Sequence, residues 1–156
     1  MLDQQGSDLT APCPALSVRQ PWAELIIAGS KSIEVRKWCT DYRGPLWIHA
    51  GRTEDVELGR KFGLVQLFKG GFIGRVILTT TVQFDSDRWS RWRARHLSDG
   101  PMPQIAYGWV LKDPVRLKEP LPAAGELGLF RPNDEIALAL QALLPLQDES
   151  QKSCNS

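Results

Sequence analysis

The 156-residue chain is 42% hydrophobic and 24% charged, a globular balance that excludes fibrous and disordered classes. No apolar run approaches the roughly 18 residues that suggest a membrane span. Net charge is only +1, yet residues 13–133 hold 18 of the 19 basic and 12 of the 18 acidic side chains, a net of +6 between acidic ends. That basic body, in which Arg outnumbers Lys, suits a polyanion partner.

The opening "MLDQQGSDLTAPCPA" lacks the basic n-region and apolar h-region of a secretory signal. Cys13, Cys39 and Cys154 show no CxxC spacing, and the histidines, His49 and His96, are two. The expectation is a protein of the reducing cytoplasm, with no metal, no cofactor and no membrane. Residues 1–13 read as a flexible leader, 14–146 as one folded domain and 147–156 as a disordered tail.

In chain order, "ALSV" (15–18) predicts a short strand. "QPWAELIIAG" (20–29) predicts a helix, with Pro21 in its first turn and Gly29 as its stop. Residues 31–38 form a second strand, in which Ile33 and Val35 alternate with Ser32, Glu34 and Arg36. "TDYRG" is a turn and "PLWIHAG" (45–51) a third strand. "TEDVELGRKFG" predicts a helix capped by Thr53. "GGFIGRVILTTTVQF" (70–84), rich in β-branched residues, is the strongest strand. Residues 85–97 predict a helix, 106–117 a strand interrupted at Pro114, and 133–144 a capped helix. The strands are not regularly interleaved with helices. An α+β fold follows: five or six mostly antiparallel or mixed strands, curled into a small barrel with helices packed outside.

The segments "LSVRQPWAELIIAGSKSIEVRKW", "YRGPLWIHAG", "GGFIGRVIL" and "YGWVL", in this order, resemble the ASCH (activating signal cointegrator homology) domain over about residues 15–131. The resemblance implies a PUA-like β-barrel with a helix-rimmed cleft. It also implies association with RNA or DNA. Some small relatives are hydrolases, including an amidohydrolase of N4-acetylcytidine, and at least one is a ribonuclease. In the amidohydrolase branch a Lys in a "GxKTxTxR" motif acts with a Thr and a distant Glu. Lys31 and Arg36 match that motif, Ser32 replaces one Thr, and Glu34 stands where the catalytic Thr would be.

Lys31, Glu34 and Arg36 are either a surface ion-pair ladder, worth at most about 1 kcal/mol, or the floor of a site. Arg19, Gln20 and Trp22 lead from the first strand into a helix N-terminus, where free N–H groups favour an anion. Convergence of these groups would hold phosphate on Lys31 and Arg36, orient a base edge with Glu34 and stack a base on Trp22 or Trp38. In the third strand, alternation puts Trp47 and His49 on one face and Leu46 and Ile48 on the other, and His49 is either a structural hydrogen-bonder or a cleft-lining residue. In "RWSRWRARH", helical spacing puts Arg88, Arg91 and Arg95 on one face and Trp89, Trp92 and His96 on another, a candidate nucleic-acid surface. The leading expectation is a module that binds RNA, single-stranded nucleic acid or a nucleotide. The alternatives are a small hydrolase of a modified nucleoside or RNA, with Lys31 and Glu34 catalytic, and a protein-interaction module with exposed tryptophans.

Overall fold

Strand β3 (Gly44–Glu54) explains the architecture, because it is buried on both sides. Leu46, Ile48 and Ala50 join one core cluster, while Trp47 joins another. Successive strand residues point to opposite faces, so both faces of the sheet are covered. The computed structural model describes residues 13–146. The tail, and all of the leader except Cys13, lie outside the described residues.

Six strands pair in the order β2–β5–β4–β3–β1–β6. They are β1 (Ala15–Gln20), β2 (Ile33–Arg36), β3, β4 (Gly71–Gln83), β5 (Tyr107–Pro122) and β6 (Leu129–Phe130). Among the described residues only β1 and β3 run parallel; the remaining pairs are antiparallel. The α+β, mixed-sheet expectation holds. Among the described residues the sheet is not closed, with β2 and β6 at its edges. Strong curvature is nevertheless present. The β4–β5 register shifts three times, and each bulge adds bend and twist. At Asp113, φ is +52° beside Pro114. Pro114 therefore sits at a kink and does not end the strand.

Helix α1 (Trp22–Ile27) lays Ala23, Ile26 and Ile27 on one face of the sheet, against Leu16, Val18, Ile73 and Val76. Gly74 permits this approach: a Cβ there would lie 2.5 Å from Val115 O and 2.6 Å from Ile27 Cδ1. Helix α5 (Asp134–Leu143) contributes Leu140 to the opposite cluster of Trp47, Phe72, Leu117 and Phe130. The Asn133 side chain caps it, accepting from Ile136 N at 2.8 Å.

Two helix expectations change. Helix α2 (Val56–Lys61) is capped by Asp55, which accepts from Leu58 N at 3.0 Å, and not by Thr53. The reason is that β3 runs on to Glu54, which pairs with Gln20 of β1. The predicted 85–97 helix is two short helices, α3 (Ser86–Arg91) and α4 (Arg93–His96), separated at Trp92. Among the described residues no helix is long and apolar enough to cross a membrane.

Candidate functional site

The turn from α1 into β2 builds the site. Gly29 adopts φ +86°, which an L side chain resists, and Lys31 N donates to Leu25 O at 3.0 Å. Lys31 is thereby turned inward and is only 2% exposed. Its Nζ donates to His96 O at 2.5 Å, stands 3.7 Å from Glu34 Oε1 and lies 4.4 Å above the Trp22 ring. Glu34 is buried, and its other oxygen lies 3.4 Å from Arg36 Nε.

Burial pushes the Lys31 ammonium down from an ordinary 10.5 to about 8. Glu34 opposes that shift and the Arg36 charge reinforces it. Lys31 and Glu34 do pair, but desolvation outweighs the pairing. The surface-ladder alternative for this face is set aside, because both partners are buried and the pair is not a solvated one.

Arg19, Trp22, Lys31, Glu34, Val35, Arg36 and Ser98 line a cleft of about 230 Å³. Three cationic side chains surround one carboxylate. Ser98 had no sequence signal of its own. It is brought here because Leu97 takes a left-handed conformation (φ +66°) and ends α4, after which Ser98 N donates to His96 Nδ1 at 3.0 Å. His96 Nε2 donates to Trp89 O at 2.9 Å, so the ring is the neutral Nε2–H tautomer. Its pKa is lowered, mainly by burial. His96 thus acts as a fully bonded support whose own carbonyl receives Lys31.

The ASCH domain sequence pattern matches residues 16–120, about two thirds of the chain. The chain belongs to the ASCH domain family. Its fold resembles the crystal structure of the ASCH protein from Zymomonas mobilis, with a TM-score of 0.62 and 21% identity, covering 86% of this chain and 97% of that one. A tyrosine-to-phenylalanine mutant of that protein gives 0.61 and 19%, covering 85% and 98%. These likenesses carry the fold. Activating signal cointegrator 1 of Homo sapiens is 57% identical over 35 residues, and that of Mus musculus 54%. Those segments span 22% of this chain and 6% of each cointegrator.

Several other residues of the ASCH motif region lie elsewhere. Gln20 is 1% exposed and structural: its Nε2 donates to Phe68 O, and its Oε1 accepts from Glu24 N in the first turn of α1, both at 2.9 Å. Ser32 faces α4, its N donating to Arg95 O at 3.1 Å. Trp38 packs edge-on against buried Trp109, ring centroids 4.7 Å apart, and its carbonyl accepts from Trp109 Nε1. His49 is on the α5 face of the sheet with Trp47, away from the cleft, against Phe72 and Phe130.

The basic segment departs from the single-helix expectation. The break at Trp92 brings the Arg88 and Arg95 guanidinium groups to 5.2 and 4.8 Å from the Trp92 ring. Arg91 instead pairs with Asp87 at 2.8 Å. Trp89 and His96 do share a buried face, stacked at 4.0 Å. Among the described residues, no group of His, Cys, Asp and Glu could hold a metal ion.

Proposed function

We propose that this ASCH domain binds single-stranded RNA or a nucleotide, with one phosphate or base edge held in the Arg19–Lys31–Arg36 cleft. The observation that carries the reading is a buried Lys31 ammonium whose neighbours are two Arg side chains, a carboxylate and an indole face. At about 230 Å³ the cleft is smaller than the ~300–1,000 Å³ of drug-sized ligand pockets. It suits one base or phosphate, and the rest of a strand would lie outside. The nucleic-acid association of the family and the +6 body support the same reading. The half-buried Trp92 between Arg88 and Arg95 offers a stacking surface beside two phosphate-binding groups.

The test is a titration of labelled single-stranded RNA at two salt concentrations with the parent chain and Lys31→Ala. Affinity should fall steeply with salt and be weaker in the variant. Absence of binding at low salt would reject the oligonucleotide reading.

One observation favours a second reading, hydrolysis of a modified nucleoside. A Lys31 pKa of about 8 leaves a minor neutral-amine population at pH 7. Glu34 in place of a Thr argues against it. Incubation with N4-acetylcytidine should give no product; turnover that vanishes in Lys31→Ala would make Lys31 catalytic. The interaction-module reading loses its premise, since none of the six tryptophans is exposed: Trp22, Trp38 and Trp92 are half-buried, and Trp47, Trp89 and Trp109 are buried.

A further inference from the structure

On the α5 side of the sheet, away from the basic cleft, Ser17 and His49 stand directly opposite each other on the parallel strands β1 and β3. Ser17 Oγ is 2.8 Å from His49 Nδ1. His49 Nε2 is 2.8 Å from Ala123 O. A carbonyl only accepts, so Nε2 carries the ring proton and Nδ1 must accept from the Ser17 hydroxyl. The imidazole is 3% exposed and held edge-on by Phe72 at 5.1 Å and Phe130 at 6.0 Å. This is the arrangement of an activated nucleophile: a hydroxyl on a base, and the base oriented by a third group.

The pair does not end in solid core. It opens into a cavity of about 470 Å³, whose walls include Arg52, Gly125 and Glu126. Ser17 is half-buried, so its oxygen reaches that space while His49 stays enclosed. Gly125 lies against the pair: a Cβ there would run into Ser17 Oγ and come within 2.6 Å of His49 Cε1. Only a residue without a side chain fits this closely against the hydroxyl.

We propose that Ser17 and His49 form a nucleophile–base pair that accepts an acyl group from a carboxylic ester. Ser17 Oγ bonds to the acyl carbon as its proton passes to His49 Nδ1. The ester C–O bond breaks, and the leaving alcohol takes that proton. Water then attacks the acyl-serine, losing a proton to His49, and the carboxylic acid leaves as Ser17 regains its hydrogen. Arg52 is the cationic side chain on the cavity wall and the candidate partner for the oxyanion.

The test uses the full chain and two probes. A fluorophosphonate should phosphonylate Ser17, with the P–F bond breaking and the proton leaving as HF; peptide mapping locates the adduct. p-Nitrophenyl acetate should acylate the same residue. His49→Gln should slow both by at least about 100-fold, the scale of general-base catalysis, and Gly125→Ala should block both by covering Ser17. Peptide mapping of the unmutated chain is decisive even if a variant misfolds. Adducts confined to lysines or Cys39, or equal labelling of Ser17 in His49→Gln, would leave the pair a structural hydrogen bond and overturn the proposal.

Discussion

Arg36 Nη2 donates to the Ser17 carbonyl at 2.5 Å, joining strands that share no ladder. β2 and β1 are separated by three intervening strands in sheet order, yet curvature brings the Ser17 carbonyl within reach of the Arg36 side chain. One guanidinium spans the seam where a closed barrel would have backbone pairing. The same side chain reaches Glu34 at 3.4 Å, so the cleft floor and the seam are held together.

Arg36→Ala should therefore cost stability as well as ligand affinity. It removes a charge-assisted hydrogen bond and leaves the Ser17 carbonyl and Glu34 without this partner. The expected loss is about 1.5–3 kcal/mol, read as a lower denaturant midpoint. A stability within about 0.5 kcal/mol of the parent, the scale of an ordinary surface change, would mean the seam holds without Arg36.

Burial of Lys31 predicts a specific pH dependence. Its folded pKa, about 8, lies below its ordinary 10.5. Between those values the unfolded chain binds more protons, so this group's contribution to stability rises with pH there. Below pH 8 the cost of burying the ammonium is fully present. The span is on the order of 3 kcal/mol. Cys13, raised to about 11, and Tyr42, raised to about 12, act in the opposite direction. The measurement is therefore the difference between parent and Lys31→Met. The parent should gain relative to the variant from pH 8 to 10.5; parallel curves would refute the buried ammonium.

The basic segment should show unequal roles. Arg88→Ala with Arg95→Ala should weaken single-stranded RNA binding and reduce the salt slope by roughly 1.4, about 0.7 per lost contact. Arg91→Ala should change little, because Asp87 already neutralises it. If the double variant binds like the parent, this segment is a solvated surface.

Gly74→Ala should destabilise by about 1–3 kcal/mol, the usual penalty of overpacking. The new methyl would meet the Val115 carbonyl and Ile27, prying α1 from the sheet. Because α1 carries Trp22 and leads into Lys31, RNA affinity should fall too. Thermal unfolding and RNA titration of this variant would check both expectations, and an unchanged melting temperature would contradict the close approach.

The amino-acid sequence alone determined five of the six strands, missing only the two-residue β6, together with the alternation of β3, the caps at Asn133 and Gly29, and the grouping of Lys31, Glu34 and Arg36 near Trp22. These depend on local propensity and side-chain period, which are written in consecutive residues. The register shifts in β4–β5, and the curvature they produce, were decided only by pairing between distant segments. So were the break at Trp92, which buries Trp89 and His96 while leaving Trp92 between two arginines, and the arrival of Ser98 at the cleft. His49 marks the division most clearly. Its alternation with Trp47 was legible, but which face of the sheet met the cleft was not. That depended on α1 and α5 covering opposite faces, which no local pattern specifies.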